Sequence, residues 1–116
     1  MTQELSEFKF LYLFGFSEIT GNHLERLLPI LKGQIKKGGQ IGIVLIHDGA
    51  IGINKRGRIT KAMEELLSLK VILYAMIPDL KARGIDLEQT HEKIKPIEYD
   101  DLIDLLDNKL KIISWM

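Results

Sequence analysis

Short apolar runs alternate with amphipathic stretches along this chain. Phe8-Lys-Phe-Leu-Tyr-Leu-Phe14 predicts a strand that breaks at Gly15. Asn22 is placed to cap a helix starting near His23, and Leu24, Leu27, Leu28, Leu31 and Ile35 share one face of it. Pro29 falls inside that pattern and predicts either a kink or a second start. Gly38-Gly39 supplies the stop. Gln40–Ile46 is a second strand, and His47-Asp48-Gly49 after it is a turn pattern. Thr60 is placed to cap a helix that carries Met63, Leu66 and Leu67 inward.

Val71–Met76 is the third strand, nearly unbroken in its apolar character. It ends at Pro78, which cannot donate to a ladder and biases Ile77 towards an extended conformation. Asp79 is then expected to cap a short helical turn, with Gly84 ending it. Asp86 offers a further cap for a turn over Leu87–His91. Pro96 marks Lys93–Ile97 as a strand end or an edge strand. Tyr99–Asn108 reads as a helix with aspartates in its first turn, and Leu110–Trp115 as a last strand. Such alternation predicts an α/β fold with a mostly parallel five-stranded sheet between helical layers. Ligands and partners usually meet such sheets at the C-terminal strand ends. Those ends are Gly15–Thr20, His47–Gly49, Pro78–Gly84 and Glu98–Asp101.

Composition narrows the function more than the fold. Residues 1–116 fit one domain, with 46% hydrophobic and 28% charged side chains. Sixteen basic and sixteen acidic residues cancel, so net charge gives no push towards nucleic acid or an anionic membrane. No apolar run approaches the length of a membrane span, Glu4 and Glu7 precede the first apolar run, and a cytoplasmic location is expected. The sequence contains no cysteine, which removes disulfides, thiolate metal sites and thiol-borne covalent chemistry.

Few side chains suggest chemistry. His47-Asp48 is the nearest approach to a catalytic pair, but neighbours on a turn often point apart, and no serine or cysteine nucleophile has an evident place beside them. The histidines at 23, 47 and 91 lack ligand spacing, so no metal is expected, and no cofactor either. Lys55-Arg56-Gly57-Arg58 is a basic loop without an aromatic platform or a phosphate-loop pattern; a solvated loop is the preferred reading over an anion site. Asp79 and Arg83 stand four apart, where opposite charges can meet, either as an ordinary surface pair or as a brace for a docking loop.

The set of motifs from Val71 onward resembles the DsrH/TusB family. Val71–Met76, Pro78-Asp-Leu-Lys-Ala-Arg-Gly84, Ile97-Glu-Tyr-Asp-Asp-Leu-Ile-Asp-Leu105 and Ile113-Ser-Trp115 follow in the family's order, with His47-Asp48-Gly49-Ala50 upstream. The resemblance implies a three-layer α/β/α domain of the DsrE/DsrF/DsrH type. It also implies hetero-oligomers with DsrE/DsrF-like (TusD/TusC-like) subunits that pass persulfide sulfur between carriers. That relay serves either 2-thiouridine formation in transfer RNA or dissimilatory sulfur oxidation. A cysteine on the first helix of DsrH-branch members falls near Leu27 here. His47 departs from the acidic or amide residue expected before Asp-Gly, and the Gly33–Gly39 connection and the Lys55 loop depart as well.

With no thiol, the chain is expected to be a non-catalytic subunit around a neighbour's cysteine. Its expected partner surface comprises Asp48, Gly49, Asp79, Arg83, Tyr99 and Trp115, with no residue in a catalytic, cofactor or metal role. A sulfur-carrier protein is a further partner on this reading, direct nucleic-acid contact is not, and homo-oligomers of the isolated chain stay open. The rival is a stand-alone module binding an anion or nucleotide near Lys55–Arg58. A weaker third is a hydrolase using His47 and Asp48.

Overall fold

The computed structural model describes residues 10–15, 23–47, 60–107 and 111–115, together with the backbone but not the side chain at 115. Strands β1 (Phe10–Phe14), β2 (Ile41–Leu45), β3 (Ile72–Met76), β4 (Ile94–Ile97) and β5 (Lys111–Trp115) form one sheet in the order β4-β3-β2-β1-β5. Helices α1 (His23–Lys36), α2 (Lys61–Ser68), α3 (Ile77–Ala82) and α4 (Tyr99–Leu106) alternate with them, and a 3-10 turn covers Leu87–Gln89. Every strand pairing is parallel. The register runs Phe14 to Leu45, Leu45 to Ala75 and Met76 to Ile97, so the C-terminal strand ends share one edge.

Alternation along the strands builds a core on each face of the sheet. Tyr12, Phe14, Ile43, Leu45, Leu73 and Ala75 face α1 and α2, whose Leu24, Leu27, Leu31, Met63 and Leu66 close over them. Leu11, Val44, Tyr74 and Met76 face the other way and take Leu105 of α4. Each fully buried Leu or Met side chain contributes roughly 1.5–3 kcal/mol of transfer free energy. Tyr12 is buried in the first core, and its hydroxyl donates to Oε1 of Gln34 at 2.8 Å. Burial pushes its phenol above the ordinary value of 10.0, while the Gln34 bond opposes the shift.

Helix ends follow side-chain and backbone chemistry. Thr60 caps α2 as expected, its Oγ1 accepting the Met63 N–H at 3.2 Å. At the far end Lys93 donates from Nζ to the carbonyls of Leu67 (2.7 Å) and Leu69, tying α2 to the approach of β4. Partial burial lowers the Lys93 pKa below its ordinary value. α1 ends in a Schellman motif: Gly39 N–H donates to Gln34 O (2.8 Å) and Gly38 N–H to Ile35 O (2.9 Å), with Gly38 at φ 83°. α4 opens with Asp101 Oδ2 accepting the Glu98 N–H at 3.1 Å.

Three expectations need correction or narrowing. No second start occurs at Pro29: α1 is a single helix with Pro29 on its exposed side. Asp79 does not cap α3. The cap position belongs to Met76 (φ −74°, ψ 120°), and Pro78 falls in the first turn, where its missing N–H costs no helix bond. The extended residue before the helix is therefore Met76, not Ile77. Asp86 stands at the cap of the 3-10 turn, but its Oδ2 accepts from Gln89 Nε2 at 3.3 Å instead of capping a backbone N–H, and that turn ends at Gln89. Pro96 lies on β4, an edge strand, as expected.

Candidate functional site

The end of β3 delivers its polar groups directly. The helix begins at Ile77, so Asp79 sits in the first turn of α3 and Arg83 one turn later. Gly84 at φ 69° closes α3: Gly84 N–H donates to Lys81 O at 3.1 Å and Ile85 N–H to Leu80 O at 2.9 Å. Leu80 and Ile85 are both buried in the α1–α2 core, which anchors the turn on either side of Arg83.

Asp79 gathers three contacts. Its Oδ2 accepts the backbone N–H of His47 at 2.9 Å. Its Oδ1 lies 3.6 Å from Arg83 Nη1 and 3.9 Å from His47 Nδ1. Arg83 Nη1 also donates to the Asp79 carbonyl at 3.3 Å. The Asp79 side chain is only 15% exposed, whereas His47 is 67% exposed. His47 has φ 49°, a left-handed conformation uncommon outside glycine. Its strained backbone and the carboxylate that receives its N–H occur together at the strand-end edge, where such strain is often found.

The imidazole of His47 thus approaches Asp79 of a neighbouring element. Sequence reasoning paired His47 with Asp48 and missed this. The signal was available only through the β2–β3 register. Asp48 and Gly49 lie outside the described residues, as do the hydrolase pairing of His47 with Asp48 and the Lys55–Arg58 loop.

Tyr99 lies two residues past Ile97, the register partner of Met76, so it shares the β3–β4 end of the edge with Asp79. It is 58% exposed. Trp115 ends β5 opposite Phe14, also at the C-terminal edge. β2 and β1 stand between β5 and β3, which places its backbone about three strand spacings, roughly 14 Å, from the end of β3. The sequence-derived set therefore divides into the Asp79–Arg83 pair, Tyr99 at the end of the next strand on a helix that packs on the opposite face, and Trp115 at the far edge. Leu27 is fully buried on the core side of α1.

A groove of about 530 Å³ opens between the N-terminal turns of α1 and α2. Among the described residues Glu25, Lys61, Glu64 and Glu65 line it, and Glu65 pairs with Lys32 Nζ at 2.9 Å. Among the described residues no cluster of His, Asp or Glu could hold a metal ion, and no helix is long and apolar enough to cross a membrane.

The family model described as "DsrH like protein" matches residues 17–112. No curated protein matches the sequence. Among solved structures, the chain is similar to the ychN protein from E. coli, with a TM-score of 0.76 and 11% identity over 92% of this chain and 98% of that one. It is also similar to MTH1491, a protein of unknown function from Methanobacterium thermoautotrophicum. There the TM-score is 0.70 at 14% identity, over 90% of this chain and 96% of that one. At these identities the two structures establish the shared α/β fold.

Proposed function

The chain belongs to the DsrH-like family, and from that premise we propose that it is a non-catalytic subunit of a cytoplasmic sulfur-relay complex. One observation carries the proposal: the sequence has no cysteine. Persulfide sulfur is carried on a thiolate, so a chain without a thiol cannot hold the transferred atom. Its contribution is to position and enclose the cysteine of a DsrE/DsrF-like partner. The edge formed by Asp79, Arg83 and Tyr99 suits that task. A carboxylate held by a backbone N–H and an adjacent guanidinium makes a rigid polar surface, and Tyr99, exposed at the end of the next strand along the same edge, supplies an anchor of the kind that dominates interfaces. The relay on this reading supports transfer-RNA 2-thiouridine formation or dissimilatory sulfur oxidation.

Affinity purification of the native chain tests the proposal. A cysteine-bearing DsrE- or DsrF-like protein is expected to co-purify, and persulfide labelling is expected on that partner only. Recovery of the chain without such a partner or a sulfur carrier would sink the reading.

A further inference from the structure

The chain has no net charge, yet two helices on opposite faces of the sheet differ in charge: residues 98–107 carry five carboxylates, whereas residues 23–37 carry four cations against Glu25. On α4 and its flanks, Glu98, Asp100, Asp101, Asp104 and Asp107 are all exposed, and residues 98–107 contain no basic side chain. Tyr99 and Ile103, one turn apart beside these carboxylates, are 58% and 56% exposed. Leu102, Leu105 and Leu106 occupy the inward side of the same helix, and Tyr99 and Ile103 extend that apolar face outward, as a ridge beyond the part the sheet covers. On α1 the outward line carries Arg26 and Ile30, about 40° apart at 100° per residue, and exposed Lys37 follows in the turn just past the helix end. Ile30 is 45% exposed between the two cations. One helix thus presents apolar side chains among carboxylates, and the other an apolar side chain among cations.

We propose that the α4 ridge of one copy of this chain docks on the α1 line of a second copy. Tyr99 and Ile103 pack against Ile30, while Asp100, Asp104 and Asp107 meet Arg26 and Lys37. The commitment to a second copy rests on charge complementarity that the chain itself contains in full. Contact between two different patches is heterologous, so each pair leaves one α1 and one α4 unpartnered and growth continues. It ends only where the rotation between copies closes a ring, which needs three or more chains. This inference concerns the purified chain alone; because Tyr99 serves both contacts, a second copy and a DsrE/DsrF-like partner exclude one another on the α4 face.

Sedimentation equilibrium of the full chain tests it. The weight-average mass is expected to rise past that of a dimer with concentration and to fall as salt is raised. Ile103→Lys and Ile30→Asp are each expected to weaken association by about tenfold or more, because each places a like charge in the contact. In an equimolar mixture the intact α4 of the Ile30→Asp variant meets the intact α1 of the Ile103→Lys variant, so association of at least a pair is expected to return. Circular dichroism confirms folding, and Asp104→Lys or the pair Arg26→Glu and Lys37→Glu, all at exposed positions, replaces any variant that fails. A wild-type chain that stays monomeric, one that stops at a dimer, association indifferent to both faces, or a mixture that does not pair would each overturn the proposal.

Discussion

The backbone N–H of His47 donates to the carboxylate of Asp79 at 2.9 Å, joining the end of β2 to the first turn of α3. A charged acceptor holds the left-handed residue where a bare turn would leave it free to relax. Asp79→Ala removes this bond and the Arg83 partner together, and is expected to cost about 1–3 kcal/mol in urea unfolding. Asp79→Asn keeps an acceptor for the His47 N–H and should cost less. If both variants unfold like wild type, the carboxylate does not brace the edge.

His47 supplies a companion measurement. Its φ of 49° suits Asn and penalises β-branched side chains. His47→Asn is expected to leave stability within about 0.5 kcal/mol, whereas His47→Val should lose roughly 1–2 kcal/mol. Equal stability of the two variants would show that the backbone relaxes out of the left-handed region.

Much of the fold was legible because it depends on short-range chemistry. The Gly38-Gly39 and Gly84 stops could be read from sequence since only glycine adopts those angles without cost. Thr60 was readable as a cap because its target, Met63, is three residues away. Asp79 was misread for the same local reason. After Pro78 an aspartate looks like a cap, yet proline is at home in a first helical turn, so the helix starts earlier and frees the carboxylate for His47. That contact spans 32 residues and follows from the β2–β3 pairing, which periodicity does not specify. The division of Tyr99 from Trp115 likewise depends on strand order, with β5 added beside β1.

The two glycine stops should respond differently to alanine. At Gly84 a Cβ meets nothing within 4 Å, so Gly84→Ala is limited to the cost of a left-handed alanine, about 1 kcal/mol. At Gly39 a Cβ would lie 2.8 Å from the Gln34 carbonyl oxygen, the acceptor that closes α1. Gly39→Ala must move that backbone and is expected to cost more, roughly 2–3 kcal/mol, by chemical denaturation. The reverse order would mean that the end of α1 yields more easily than the end of α3.

Lys93 links elements that sequence order keeps apart, since its ammonium binds the Leu67 and Leu69 carbonyls at the end of α2. Lys93→Met keeps much of the aliphatic stem and deletes the donors, leaving the Leu67 carbonyl to water while the Leu69 carbonyl keeps the Val71 N–H at 2.9 Å. The expected loss is about 1–2 kcal/mol, with earlier hydrogen exchange in the last turn of α2 than elsewhere in the helix. Uniform exchange across α2 would place the loss elsewhere.

Tyr12 gives the chain an alkaline limit whose sign follows from burial. The folded phenol titrates above 10.0, so as pH rises through that value the unfolded chain releases its proton first. The contribution is fully present below pH 10.0 and is lost as pH climbs towards the folded value. Tyr12→Phe removes this titration, and it also removes the bond to Gln34. Near neutrality the variant is expected to be less stable by about 1 kcal/mol. Above pH 10.0 wild type should lose stability more steeply than the variant, so the gap between them narrows. Urea midpoints for both proteins across that range measure it directly, and a constant gap would show that the phenol stays protonated in both states or titrates alike in each.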